Sequence, residues 1–187
     1  LDFILPFEKY KITAGAKVSF TNTRNGINYD TSDPTLVQDD YFRYKEQIYA
    51  LYADYSREFS ERFSMQLGLR MEHTRTTGIS EAKDTEDKHD YTRLFPTVYL
   101  LYSPTDGHAL NFSFSNRISR PSQNMVNPFP FYQNKYTYAC GREDLKPSYT
   151  YNAELGYTLK NNFNVSAYYS YSDDVFFQVV DLDAETN

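Results

Sequence analysis

Tryptophan is absent from this chain of 187 residues, cysteine occurs once, and glycine only seven times. A single cysteine cannot close an intrachain bridge, so no disulfide staples the fold. Cys140 reads as a small filler in a connection, with a reactive thiol as the lesser alternative. The three histidines, His73, His89 and His108, are scattered and have no second ligand at metal spacing. No metal centre is expected, and solvated loop positions suit them better. Lysine and arginine form no cluster, and the net charge is −6, so nucleic acid is not an expected partner. The chain starts at Leu1, with no initiator Met and no basic-then-apolar leader, so we expect processing or a cut upstream.

Catalytic signatures are missing as well. The sequence has no G-x-S-x-G, no H-E-x-x-H and no phosphate-cradling glycine loop. Asp39–Asp40 and Asp173–Asp174 are paired carboxylates with no histidine nearby. Neither an enzyme nor a cofactor is expected. No apolar run reaches about 18 residues, which excludes a transmembrane helix. A membrane is not thereby excluded. A transmembrane strand needs only about 9–11 residues of alternating character, and averaged hydropathy hides it.

Aromatic residues, by contrast, are abundant: 19 Tyr and 14 Phe make 18% of the chain. That excludes disorder. Tyrosine suits half-buried pleated surfaces and water–lipid boundaries. The dominant pattern has period two, the signature of a strand with one apolar and one wet face. Tyr10, Ile12, Ala14, Ala16, Val18 and Phe20 alternate with Lys11, Thr13, Gly15, Lys17 and Ser19. Phe63, Met65, Leu67, Leu69 and Met71 alternate with Ser64, Gln66, Gly68, Arg70 and Glu72. Similar runs lie near 43–56, 93–102, 110–117, 151–159 and 163–171, and the last is expected to run on through Val175–Val180 after a break at Asp173–Asp174. Pro96, which has no N–H, predicts a bulge or a gap in pairing.

The connections alternate strictly: long at about 21–42, 73–90 and 118–148, short at 57–61, 103–108 and 160–162. Nothing in a soluble sandwich demands this. An outer-membrane barrel has tight turns on one rim and extended loops on the other. On that reading Leu1 lies at the short-turn rim. Lys11, Lys17, Arg70 and Arg117 fall on the polar side of their strands, as a barrel requires. A cation on the lipid face at the midplane would cost about 2–4 kcal/mol.

Ordered motifs add a resemblance. Arg117, Arg120 and Pro121 precede Asn127-Pro128-Phe129; then come Gly141, Leu145 and Pro147, followed by Glu154-Leu155-Gly156-Tyr157. Upstream stand Gly68-Leu69-Arg70-Met71-Glu72 and LFPTVYLLYSP over 94–104. Together these resemble the barrel of TonB-dependent outer-membrane receptors, in the branch common in Bacteroidetes, over essentially the whole chain. Arg142-Glu143 and Ser148 depart from that pattern, which weakens any ligand-contact assignment at that turn.

The resemblance implies an all-β, antiparallel, up-and-down meander of seven or eight long strands. These would be an internal part of a barrel of about 22 strands. It implies residence in the outer membrane of a Gram-negative bacterium. The partners it implies are membrane lipid, a plug domain of the same protein, TonB acting through an N-terminal part outside this sequence, and a scarce nutrient such as a siderophore or oligosaccharide. Candidate plug or ligand contacts are Arg70, Glu72, Arg117, Arg120 and Glu154 on the lumen side. Phe129, Phe131, Tyr136 and Tyr138 are candidates in the long 118–148 connection. A hydrogen-bonded network filling a wet interior is the simpler account of the charges, as loop packing is of the aromatics. The acidic stretch 80–90 lacks the spacing of a calcium loop and reads as solvated. Two other readings stay open: a passive porin-like or structural barrel, and a soluble β-sandwich binding module.

Overall fold

The computed structural model describes residues 1–27, 40–80, 84–134, 137–160 and 162–181. Eight strands form one sheet: β1 (Asp2–Pro6), β2 (Tyr10–Ile27), β3 (Asp40–Ser60), β4 (Phe63–Ser80), β5 (Thr85–Tyr102), β6 (His108–Ser119), β9 (Ser148–Leu159) and β10 (Phe163–Asp173). Neighbours in sequence are neighbours in space, every pairing is antiparallel, and the sheet is open, ending at β1 and β10. Between β6 and β9 the chain makes one helical turn, α1 (Gln123–Val126), and a small hairpin, β7 (Phe131–Asn134) with β8 (Thr137–Ala139).

Among the described residues no second layer covers the apolar side of this sheet. Val18, Leu51, Leu69, Leu94, Leu155 and Val165, drawn from five strands besides β5, are each between 50 and 56% exposed. Burying one such side chain is worth about 1.5–3 kcal/mol, so a soluble domain would not leave the whole face open. A sandwich is therefore the wrong architecture for this chain. Among the described residues only Phe42, Ala50, Phe95, Phe129 and Tyr149 are buried apolar side chains. Phe42, Ala50 and Phe95 belong to the opposite face by alternation.

Aromatic contacts bracket the apolar band. Phe7–Tyr10, Tyr10–Tyr55 and Phe63–Tyr102 pack with ring centroids 4.4, 5.8 and 6.4 Å apart near the short turns. Phe20 and Tyr49 meet edge-on at 5.9 Å near the other end. From Phe63 to His73, at about 3.3 Å per residue and a tilt near 40°, the strand climbs about 25 Å, the height of a membrane barrel's apolar belt. No helix among the described residues is long and apolar enough to cross a membrane, which says nothing about crossing by strands.

Several boundaries differ from the sequence expectation. The connection expected over 73–90 is largely strand, and both described ends of the one expected over 21–42 are strand, since β2 and β3 reach Ile27 and Asp40, and β4 and β5 reach Ser80 and Thr85. Residues 28–39 and 81–83 lie outside the described residues. These extensions lack apolar alternation because both of their faces are polar. Backbone pairing does not require a greasy face, and the β-branched threonines of HTRTTG (73–78) favour it. The eighth strand is β1, and the expected continuation of the last strand through Val175–Val180 has no strand pairing. The short run DFILP has no alternation to reveal it, yet it pairs with Lys11–Gly15. Since β1 descends into the turn at 7–9, Leu1 sits beside Ala16, part-way up the wall, rather than at the short-turn rim.

Two connections show how the wall is shaped. In the turn 103–107, Gly107 takes φ 79°, a left-handed conformation that glycine adopts without strain, and its carbonyl accepts from the Lys160 N–H at 2.6 Å. At Pro96 the ladder changes. All 18 residues of β5 pair with β4, but only Thr97–Tyr102 pair with β6. Above that point the Asn116 side-chain amide reaches the Leu94 carbonyl at 3.5 Å, and the Arg93 guanidinium lies over the Tyr149 ring at 4.7 Å.

Candidate functional site

On the face opposite the apolar band, alternation brings Tyr44 and Glu46 of β3 alongside Arg70, Glu72 and Thr74 of β4. Glu72 is the hub. Its side chain is only 4% exposed, and one carboxylate oxygen accepts from the Arg70 Nε at 2.9 Å. Its other oxygen accepts from Arg120, the first residue after β6, which reaches across β5 to do so. The same Arg120 nitrogen donates to Thr74 Oγ1 at 3.1 Å. Glu46 adds a second carboxylate 3.9 Å from Arg120 Nε, within ion-pair range but too long for a hydrogen bond. Tyr44 donates to Glu46 at 3.5 Å.

A buried carboxylate is costly unless it is paired and hydrogen-bonded, and here both oxygens are used. Burial lowers the affinity of the Arg120 guanidinium for its proton below the ordinary value, and Glu46 opposes that effect. The result ties the start of the 118–148 connection to the middle of the wall. A cavity of about 900 Å³ opens beside it, lined among others by Lys17, Arg70, Phe95, Arg117 and Arg120.

The connection itself is ordered by its own backbone. The Gly141 N–H donates to the Asn127 carbonyl at 2.7 Å, and the Arg142 N–H donates to the Met125 carbonyl at the same distance. A Cβ at Gly141 would collide with the carbonyls of Met125 and Asn127, so glycine is required by close approach. Asn127 is buried, and its side chain accepts from the Phe129 N–H at 3.1 Å. Thr85 at the start of β5 donates to Glu143 at 2.9 Å, fastening the far end of the connection to the wall.

The structure joins three of the residues singled out in the sequence, Arg70, Glu72 and Arg120. It does not join Arg117 to Glu154: Arg117 faces Thr150 in the register, and Glu154 faces Ser113. Phe129 is buried in the connection, whereas Phe131 and Tyr138 are exposed on the small hairpin, where Tyr138 packs against Tyr132 at 5.4 Å. Tyr136 lies outside the described residues. Sequence reasoning missed Glu46, Thr74 and Tyr44. Their signal was phase, since an even step from Ala50 or Glu72 puts them on the wet face. Among the described residues no group of three or more His, Cys, Asp or Glu could hold a metal ion.

A model of the outer membrane protein beta-barrel family matches residues 1–187, the full length of the chain. Among solved structures, the fold matches the crystal structure of the ferric yersiniabactin uptake receptor FyuA from Yersinia pestis, with a TM-score of 0.58 and 16% identity. The match covers 91% of this chain and 27% of that receptor, and at such identity it speaks for the fold alone. No curated protein matches. The chain belongs to the outer membrane protein beta-barrel family.

Proposed function

From that membership, we propose that the chain is wall of a TonB-dependent outer-membrane transporter that imports a scarce nutrient. One observation carries the reading: a long connection at the loop-bearing rim is pinned by Arg120 to a buried carboxylate, Glu72, on the inner face. In an energised importer the same wiring lets events at the loop reach groups that line the lumen.

Arg70, Glu72 and Arg120 then form the junction between loop and wall. Arg117 and Glu154 are further inner-face charges available to a plug domain, and Phe131 and Tyr138, exposed on the small hairpin, belong to the ligand side. The plug and the TonB-contacting segment come from the rest of the protein. Ferric siderophores, oligosaccharides and vitamin or peptide complexes are the nutrient classes to test.

The experiment compares uptake of labelled members of these classes by cells expressing the full-length protein, with and without TonB. Uptake that disappears without TonB is the expected result. Large, TonB-independent conductance of the purified protein in planar bilayers would sink the proposal in favour of a passive barrel.

A further inference from the structure

Beyond the outer end of the apolar band, the outward face of β2 and β3 carries three cations with no acid to match them among the described residues. The register sets Arg24 directly opposite Arg43, with Lys45 two pairs nearer the band, opposite Asn22. All three share the face of Phe20 and Tyr49, because each lies an even number of residues away. Directly opposed side chains have Cβ atoms about 5 Å apart, and like charges so placed are destabilising.

Nearby cations on the same face are matched. Arg75 sits 2.8 Å from Asp90, and Lys88 2.8 Å from Glu86. Arg24, Arg43 and Lys45 have no ion pair among the described residues. Arg43 Nε is buried without a hydrogen-bond partner, while Arg24 and Lys45 are exposed. Glu46, next in sequence, points to the other face and belongs to Arg120.

The height of this cluster identifies what meets it. Lys45 is two residue pairs beyond the row of Phe20 and Gln47, and Arg24 and Arg43 are four pairs beyond. With about 3.4 Å per residue and a tilt near 40°, that is about 5 and 10 Å above the last apolar ring. Long cationic side chains reach back toward a membrane surface. This is the depth of lipid headgroups, which add about 5–8 Å to each side of the hydrocarbon.

We propose that Arg24, Arg43 and Lys45 form a binding site for the phosphate of a lipid headgroup in the leaflet at the loop-bearing rim. Two guanidinium forks and an ammonium suit the several oxygens of a phosphate, and one such group relieves the repulsion between the opposed arginines. The site rests on the apolar band facing lipid, not on energised import; a passive barrel would carry it equally. It can therefore fail while the transport proposal stands, and the reverse.

The test uses the delipidated full-length protein in phosphatidylcholine discs doped with lipid A, either phosphorylated or enzymatically dephosphorylated, with retained lipid counted by native mass spectrometry. Each cation near an anionic surface is worth about 1 kcal/mol, which is about fivefold in affinity. The triple variant R24Q/R43Q/K45Q should therefore lose about 100-fold, and R24Q alone about fivefold. K17Q, on the inner face, should lose nothing. Should the triple variant fail to fold by heat-modifiable migration, R24Q alone decides. Equal retention by R24Q and wild type, no preference for the phosphorylated lipid, or saturation by inorganic phosphate without lipid would overturn the site.

Discussion

Alanine at Glu72 removes the carboxylate that Arg70 and Arg120 share at hydrogen-bond distance. The backbone ladder is untouched, because the pairing of residue 72 with Ala50 and Arg93 does not depend on its side chain. The loss should therefore fall on the side-chain contacts and divide unequally. The Arg120 side chain is 21% exposed and Glu72 only 4%, so their charge-assisted bond is poorly replaced by water. Its coupling energy should be about 1.5–3 kcal/mol. Arg70 is 37% exposed and two residues away on the same strand, so solvent screens its share, and about 0.5–1 kcal/mol is expected there. Two double-mutant cycles, E72A with R120A and E72A with R70A, separate these terms. The readout is urea unfolding of the full-length protein folded into vesicles, with an unchanged slope in denaturant as the control that folded compactness is preserved. If the Arg120 coupling falls below about 0.5 kcal/mol, or does not exceed that of Arg70, the hub is surface decoration and the burial argument is wrong.

Lysine at Leu67 should cost about 2–4 kcal/mol of barrel stability and reduce outer-membrane assembly, because this side chain lies near the middle of the lipid-facing band. Lysine at Gln66, one residue away on the wet face, should assemble normally; equal heat-modifiable migration of the two variants would refute the facing assignment. Alanine at Gly141 forces a methyl group against the carbonyls of Met125 and Asn127, and should destabilise the connection by about 1–3 kcal/mol. Hydrogen exchange over 123–142 should speed up while β4 and β9 keep their protection, and unchanged exchange there would count against the close-approach reading.

What the sequence revealed and what it hid follow one physical rule. Within the bilayer span, the two faces of a strand meet different solvents, so Phe63–Met71 or Tyr10–Phe20 announce themselves by alternation. Beyond that span both faces are polar, and Thr74–Ser80 or Thr85–Asp90 read as loops although they are laddered throughout. The same rule hid most of the hub. Arg70 and Glu72 stood out because they interrupt an apolar rhythm. Glu46 and Thr74 lie where no rhythm remains, and only the register shows that β3 carries Glu46 to Arg120. Pro96 was legible for a different reason, since a missing N–H is a property of the residue itself and needs no context.

The interruption at Pro96 changes who controls the wall's shape. Across most of the sheet, adjacent strands are sewn together by main-chain groups that every residue type supplies, so substitutions hardly alter how the strands lie. Along the outer part of the β5–β6 junction that stitching is missing, and an aromatic ring, an amide and a guanidinium do the fastening instead. Side chains are what evolution edits. This one line is where single codon changes can widen, tighten or re-aim the rim while the surrounding fabric stays as it was.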